Sequence, residues 1–151
     1  MNKKLYKIRT ATMNDVSDIS ELSKQLGYPA SESEIKERLI TILHSNNDIV
    51  YVAYLPDGKT IAWIHLFKSY RVESGLFAEI GGFIVSKSFR SQGIGKKLLE
   101  VAEKWTIKMK LPHLRVRSKI ERENAKKFYS NMGFSVLKKQ RVFDKKMNIE
   151  A

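Results

Sequence analysis

A glycine-rich turn is the segment of this sequence best suited to chemistry. The run Arg90-Ser91-Gln92-Gly93-Ile94-Gly95-Lys96 lies between a strand-like segment ending at Val85 and an amphipathic helical stretch. Glycines at such a place let successive backbone N–H groups point toward one site at a helix N-terminus, where an anion is stabilised. Lys96 and Lys97 add positive charge beside the turn. The turn therefore predicts a site for an anion such as phosphate.

Two well-defined phosphate-binding motifs do not match this turn. The dinucleotide-binding fingerprint needs a third glycine and a following βα pattern, and neither follows Gly95. A Walker loop needs a longer phosphate cradle and a hydroxyl residue after its lysine, whereas Lys96 is followed by Lys97. A short Gly-x-Gly alone fits an ordinary loop-to-helix turn equally well, so the surrounding residues must decide.

The net charge of +12 is concentrated in the second half of the chain. Residues 1–85 contain 10 Lys and Arg against 10 Asp and Glu, whereas residues 86–151 contain 18 against 6. This asymmetry predicts an anionic partner on one side of the molecule, either nucleic acid, a membrane surface or a polyphosphate ligand. A merely solvated basic face is the alternative. The absence of cysteine excludes thiol nucleophiles, disulfide scaffolds and Cys-ligated metal sites.

The composition is that of an ordinary globular domain, with 42% apolar and 29% charged residues in a chain of 151. A chain of this length fits one domain and can bury a core without metal or disulfide support. No apolar run approaches the ~20 residues that span a bilayer. We therefore expect a single domain over residues 1–151, located in the cytoplasm, with no membrane partner and no metal.

The first half of the chain predicts one strand, two helices and three further strands. Hydrophobic periodicity and turn residues place strands at Leu5–Arg9, Ile49–Leu55, Thr60–Phe67 and Phe77–Val85, with helices from Asp15 to Gly27 and from Ser31 to Leu43. Ser31 and Glu34 form a capping-box pattern at the second helix. The pair Gly81-Gly82 inside a strand indicates a bulge, or a close approach of another backbone or a ligand.

The second half alternates between helix and strand. It predicts helices at about Gly93–Met109 and Arg122–Met132, and strands at His113–Arg117, Phe134–Leu137 and Val142–Met147. The helix from Gly93 joins two strands that we expect to be parallel. The fold class is therefore α/β: a mixed, mostly antiparallel sheet, flanked by about four helices and splayed between the strands ending near Val85 and Arg117.

Several segments together resemble the GCN5-related N-acetyltransferase (GNAT) superfamily. The resemblance covers nearly the whole chain and includes the opening Arg9-Thr10-Ala11-Thr12 with Asp15. It is carried by Ala78–Val85, Arg90–Gly95, Phe128-Tyr129 and Gly133-Phe134. In that family the Arg-x-x-Gly-x-Gly turn is the pyrophosphate loop for acetyl-coenzyme A. The three phosphates of this cosubstrate also account for the basic second half.

The resemblance implies a cofactor site at the splay, formed by the end of one strand and the glycine turn after it. The backbone of Phe83, Ile84 and Val85 would hold the pantetheine arm as an added strand at a sheet edge. Arg90 would shape the turn, and the pyrophosphate would be held by the amides of Ser91, Gln92, Gly93, Ile94, Gly95 and Lys96.

The resemblance also implies two catalytic residues. Tyr129 falls on the family's tyrosine, which protonates the departing thiolate; an aromatic core residue is the alternative. Glu79, six residues before Val85, falls on the glutamate base of the histone-acetylating branch, unless it is exposed or simply pairs with a cation. Strict alternation would place Glu79 on the face of Gly81 and Phe83, provided that the bulge does not turn it away. His65 on the adjacent strand is the rival base.

One position departs from the family pattern. Many members bind the cofactor with an asparagine seven residues before the tyrosine, and here that position is Arg122. Asn124 lies two residues further on and faces elsewhere on a helix, so the role of the asparagine is not transferred to it.

The resemblance implies an N-acetyltransferase that moves acetyl from acetyl-coenzyme A to a primary amine by direct attack. The acceptor would be a small molecule or a peptide, bound by the first two helices, the His65–Gly75 loop and the C-terminal hairpin. Two alternatives are a basic nucleic-acid or regulatory binding module and an inactive acyl-coenzyme A sensor of the same fold. Nucleic acid is disfavoured because no RRM-type aromatic motif appears. The sequence leaves a homodimer open.

Overall fold

The computed structural model describes residues 5–119 and 122–149. The chain forms two compact units, the first ending at Arg117 and the second beginning at Ser118. The first unit contains the strands β1 (Lys7–Thr10), β2 (Asp48–Tyr54), β3 (Thr60–Arg71), β4 (Gly75–Val85) and β5 (Leu114–Val116). It also contains the helices α1 (Val16–Leu26), α2 (Glu32–Leu43) and α3 (Ile94–Lys108). The second unit contains α4 (Glu123–Asn131).

The five strands form one sheet in the order β1-β2-β3-β4-β5. The first three pairings are antiparallel, and β4 pairs with β5 in parallel after the α3 crossover. The β4–β5 ladder ends at Ile80 and Val116, although β4 continues to Val85. The predicted fold class is therefore confirmed, and within the described residues β4 has no β5 partner beyond Ile80.

The two faces of the sheet are covered by different helices. On one face Val50 and Val52 form a core cluster with residues of α1 and α2, and Trp63 packs against it. Because side chains alternate along a strand, Ile64 and Leu66 point to the other face, where both are fully buried. The buried residues of α3, such as Leu98, supply the apolar cover. Positions 63, 65 and 67 of β3 therefore share the α1/α2 face.

A buried ion pair fastens β1 to the start of β3. Asp15 is 2% exposed and accepts two hydrogen bonds from the Arg9 guanidinium, at 2.8 and 2.9 Å. Its carboxylate also accepts from the Thr12 amide at 2.8 Å and from the Thr60 hydroxyl at 2.7 Å. Burial opposes ionisation, but the hydrogen bonds from Arg9, Thr12 and Thr60 outweigh it and lower the pKa of Asp15. The ionised carboxylate of Asp15 thus connects β1, the segment before α1 and the start of β3 through hydrogen bonds.

Helix boundaries follow the sequence signals closely. The Ser31 hydroxyl accepts from the Glu34 amide at 3.1 Å, and the Glu34 carboxylate accepts from the Ser31 amide at 3.0 Å, which confirms the predicted capping box. Gly27 ends α1 at a φ of 94°, a left-handed conformation that glycine adopts without strain. Both signals are local, which explains why the sequence located these ends.

Two sequence predictions differ from the structure of the described residues. The interval His65–Gly75 is not a loop, because β3 continues to Arg71, which pairs with Gly75 at the start of β4. The strands expected at Phe134–Leu137 and Val142–Met147 do not form in the described range 132–149. Apolar alternation describes one chain, whereas a strand also requires a partner backbone, and these residues make no ladder.

In the second unit, α4 ends in a Schellman motif. The Phe134 amide donates to the Tyr129 carbonyl at 2.9 Å, and the Gly133 amide donates to the Ser130 carbonyl at 3.1 Å. Gly133 adopts a φ of 92°, which makes this reversal accessible. The rings of Tyr129 and Phe134 meet edge to face with centroids 5.4 Å apart. The motif therefore positions the Tyr129 ring within its own unit.

Candidate active site

The predicted anion-binding turn opens α3 in a conformation suited to an anion. Ser91 and Gly93 both have left-handed φ values, 63° and 84°, and α3 begins immediately afterwards at Ile94. The residues Ser91, Gln92 and Gly93 are exposed. No side chain in the described part of the chain caps this N-terminus, so the first-turn amides are not occupied by a capping group. This arrangement fits a phosphate group.

Arg90 holds the start of the turn against β4. Its Nε donates to the carbonyl oxygen of Val85 at 3.0 Å, and its own backbone is extended. The hydrogen bond closes the segment between the end of β4 and the glycine turn. The side chain thus holds the start of the turn, and its part in cofactor binding stays a prediction.

The glycine pair in β4 forms the predicted bulge. His65 pairs with Gly82 and Leu66 pairs with Ile80, so Gly81 is the additional residue. A Cβ atom on Gly82 would lie 2.5 Å from the Trp63 ring, so this position has no room for a side chain. The bulge places Glu79 on the α1/α2 face with Gly82, whereas strict alternation had grouped it with Gly81 and Phe83. A bulge increases local bending and twist, and it lies where β4 separates from β5.

The segment implied to bind pantetheine lies immediately after this separation. Phe83, Ile84 and Val85 pair with Ile64, Trp63 and Ala62 of β3. On the side of β5 the ladder has already ended at Ile80. A short connection joins the end of β4 to the glycine turn. The strand end could hold an extended thiol arm, and the turn could hold a pyrophosphate.

Glu79 is held by two arginine side chains. The residue is 7% exposed, and its Oε2 accepts from the Arg117 Nε at 2.8 Å. Its Oε1 accepts from an Arg71 nitrogen at 3.3 Å. Arg71 and Arg115 also lie over the Phe77 ring, at 5.3 and 4.1 Å from its centroid. Each carboxylate oxygen of the expected base is therefore bound by a cation.

His65 lies on the same face and is paired with a carboxylate. Its Nε2 is 2.8 Å from Oδ1 of Asp48, and the two side chains are 20% and 21% exposed. Across the ladder His65 faces the bulge, and a Cβ atom on Gly81 would lie 2.8 Å from its Nδ1. The Phe67 ring lies beside the imidazole, with centroids 5.6 Å apart. This pair was not predicted from the sequence.

Tyr129 lies in the second unit, among aromatic side chains. Its ring contacts Phe128 and Phe134 edge to face, at centroid distances of 5.3 and 5.4 Å. Burial raises the pKa of Tyr129 to about 12, against the opposing effect of the Arg122 charge. The phenol therefore keeps its proton at neutral pH, as a proton donor must. Arg122, the residue that departs from the family pattern, acts on this tyrosine electrostatically.

Comparison with protein-family models identifies the fold. Residues 13–134 match the model of the Acetyltransferase (GNAT) family, which is more than half of the chain. The chain belongs to the GNAT acetyltransferase family. The resemblance seen in the sequence is thereby confirmed, and no curated protein matches this chain.

Several solved structures are similar to this member of the GNAT family. Aminoglycoside 6'-N-acetyltransferase AAC(6')-Ih from Acinetobacter baumannii has a TM-score of 0.81 at 17% identity, covering 95% of this chain and 99% of that one. AAC(6')-Iy in complex with the bisubstrate analogue CoA-S-monomethyl-acetylneamine has a TM-score of 0.80 at 19% identity, covering 94% and 99%. A transcriptional regulator from Bacillus halodurans has a TM-score of 0.82 at 19% identity, covering 92% and 99%. These likenesses show the fold alone.

The predicted site residues of this family member divide between its two units. Phe83–Val85, Arg90–Lys96, Glu79 and His65 lie in the first unit, and Tyr129 lies in the second. Sequence reasoning missed the partners of the two base candidates. They are Asp48, Arg71 and Arg117. The parallel register that brings β5 beside Glu79 is the signal that could have indicated Arg117.

No helix among the described residues has the length and apolar character required to cross a bilayer.

Proposed function

We propose that this protein, as one catalytic domain over residues 1–151, transfers acetyl from acetyl-coenzyme A to a primary amine. The observation that carries the proposal is the coincidence of three features: the β4 bulge, the end of the β4–β5 ladder at Ile80, and the left-handed glycine turn at the start of α3. Together with family membership, they support a cofactor site that runs along β4 into the turn.

We assign the cofactor to the residues that the family resemblance implies, which lie in this region. Backbone groups of Phe83, Ile84 and Val85 bind the pantetheine arm, and the amides of residues 91–96 bind the pyrophosphate at the positive end of α3. Arg90 supports the turn through its bond to Val85. When bound there, acetyl-coenzyme A would supply an activated acetyl thioester.

The chain's own residues then move two protons. An amine acceptor arrives protonated, so a base must remove one proton before the nitrogen attacks the acetyl carbonyl. Tyr129 donates a proton to the thiolate sulfur as the C–S bond breaks, and it regains one from the acylated nitrogen. Glu79 and His65 are the two base candidates, and they differ in the charged groups that hold them: two arginines at Glu79 and one carboxylate at His65.

The acceptor class is proposed as a primary amine on a small molecule or peptide. The reaction can be tested with a panel of candidate amines. One similar structure is named an aminoglycoside 6'-N-acetyltransferase and another is AAC(6')-Iy bound to a bisubstrate analogue, so the panel should include an aminoglycoside. Sequence identities of 17% and 19% do not assign a substrate, so the panel should also include polyamines, simple amines and peptide N-termini. Release of free thiol from acetyl-coenzyme A across this panel tests the reaction.

A binding experiment tests the cofactor site directly. Gly93→Val should abolish acetyl-coenzyme A binding by calorimetry, because a branched side chain strains the left-handed φ of 84° that opens the turn. Gly58→Val is the matched control, since Gly58 has a φ of 93° in the β2–β3 hairpin, outside the proposed site. Unchanged affinity in a folded Gly93→Val variant would overturn the cofactor assignment.

The same preparation separates the alternatives. Acetyl-coenzyme A binding with no thiol release from any amine would favour the inactive sensor. Binding of duplex DNA that weakens steeply with salt, without cofactor binding, would favour the nucleic-acid module.

A further inference from the structure

We propose that His65 is the general base that deprotonates the acceptor amine, and that Asp48 positions it. This inference rests on the proposed acetyl transfer. It assigns the base to a histidine–carboxylate pair spanning β2 and β3, rather than to Glu79 on β4.

The Asp48 contact determines which imidazole nitrogen is basic. A carboxylate only accepts hydrogen bonds, so the 2.8 Å contact to Oδ1 requires that Nε2 carry the proton. A neutral imidazole then has its unprotonated lone pair on Nδ1. Nδ1 is therefore the atom that can take a proton.

The Nδ1 atom lies at the β4 bulge. A Cβ atom on Gly81 would approach Nδ1 to 2.8 Å and a Phe67 ring carbon to 3.1 Å, so only glycine leaves this side of the imidazole uncovered. Gly81 itself is exposed, and it follows the last residue of β4 that pairs with β5. The bulge thus leaves access to the basic nitrogen next to the segment proposed to bind pantetheine.

Glu79 lacks this accessibility. Both of its oxygens accept hydrogen bonds from guanidinium groups, and the residue is 7% exposed. Accepting a proton would remove the negative charge that pairs with both Arg71 and Arg117. His65 has one occupied nitrogen and one nitrogen facing the bulge, so it can accept a proton while its partner contact persists.

The proton balance is complete with groups already named. The acceptor ammonium gives one proton to Nδ1, the nitrogen–carbon bond forms, and the carbon–sulfur bond breaks. The thiolate takes a proton from Tyr129, which recovers one from the acylated nitrogen, and His65 releases its proton to water. Charged groups on its face include Asp48 on β2, Arg71 on β3 and Glu79 on β4, together with Arg115 and Arg117, which lie in and just after β5. Among described residues, only Asp48 hydrogen-bonds the imidazole.

Kinetics with matched histidine variants test the base. His65→Gln should lower kcat/KM by roughly 10²–10⁴ and remove the acidic limb of its pH profile. Acetyl-coenzyme A affinity should stay unchanged. His44→Gln is the control, because His44 is exposed and its Nδ1 contacts the Ile40 carbonyl at the end of α2. Added imidazole should restore part of the activity of His65→Gly, and Glu79→Gln should retain the acidic limb.

A second measurement needs no substrate. Nitrogen NMR of histidine-labelled protein, assigned with His65→Gln, should show His65 as the Nε2–H tautomer, and Asp48→Asn should change that tautomer and lower kcat. A His65 proton on Nδ1, an acidic limb that persists in His65→Gln, or one that disappears in Glu79→Gln would overturn the inference. Absence of acetyl transfer in the unmodified protein would instead overturn the proposed function, and the inference with it.

Discussion

The Nε atom of Arg117 lies 2.8 Å from Oε2 of Glu79, although 38 residues separate them. Arg71 binds the other oxygen, so one buried carboxylate joins β3, β4 and the end of β5. The contact lies one residue before the β4–β5 ladder ends at Ile80. Glu79 therefore fastens the strands together on the last part of the sheet before they separate.

Glu79→Gln should destabilise the fold by about 1–3 kcal/mol, because two guanidinium groups lose a charged acceptor near the core. Urea unfolding measures this loss as a lower midpoint concentration with an unchanged dependence of the unfolding free energy on urea. Glu21→Gln is the control, since Glu21 is 71% exposed and its contact to Lys24 is 3.5 Å; it should change stability by less than about 0.5 kcal/mol. Equal small effects at both positions would contradict the fastening role of Glu79.

Gly82→Ala should be destabilising through steric overlap. Its Cβ would lie 2.5 Å from the Trp63 ring, and overpacking of this kind costs about 1–3 kcal/mol. Thermal unfolding should show a lowered Tm, partly restored in the Gly82→Ala, Trp63→Leu double variant. A Tm for Gly82→Ala equal to that of the unmodified protein would mean that the Trp63 ring moves aside without cost.

Asp15 predicts an acid-sensitive fold. Its folded-state pKa is lowered below the unfolded value of about 4, so its stabilisation is present above that pH and is lost as the pH falls through the folded value. Asp15→Asn should cost roughly 3 kcal/mol near pH 7, because Arg9 loses its partner at a buried site, and should flatten the stability curve between about pH 5 and 2. Urea titrations at several pH values measure both effects. A stability curve for Asp15→Asn that runs parallel to that of the unmodified protein would contradict the role of Asp15 in acid sensitivity.

Tyr129→Phe should reduce kcat by roughly 10²–10⁴ while leaving acetyl-coenzyme A affinity unchanged, because it removes the hydroxyl and keeps the aromatic packing. Since burial raises the pKa of Tyr129 to about 12, its ionisation should produce no basic limb in the pH–rate profile below about pH 10. Tyr28→Phe, at a residue that is 62% exposed, is the control. A kcat within a few-fold of normal would make Tyr129 structural.

The features that the sequence predicted depend on local signals. The capping box of Ser31 and Glu34, the end of α1 at Gly27 and the start of α3 at Gly93 each involve residues within a few positions of one another. The bulge at Gly81 was also predicted, because two adjacent glycines weaken a regular strand and are typical of a bulge. Signals of this kind depend only on residues that are close together in the sequence.

The features that escaped prediction depend on register between distant strands. Asp48 reaches His65 across the β2–β3 ladder, and Arg117 reaches Glu79 only because β5 pairs in parallel at Ala78–Ile80. No periodicity specifies such a register, since a shift by two residues would keep the same apolar pattern. The two strands expected between 134 and 147 failed for a related reason, because pairing is a property of two segments.

The additional residue at Gly81 has a consequence for changes in chain length. Glu79 and Gly82 are three positions apart yet share a face, because the bulge absorbs one residue. A chain with Gly81 deleted would hold them two positions apart in a regular strand, again on one face. Such a deletion would preserve the orientation of every β4 side chain while removing the local bend. Deletion of Gly81 therefore changes the curvature of β4 without changing which side chains lie on each face. No substitution in β4 changes the curvature alone in this way.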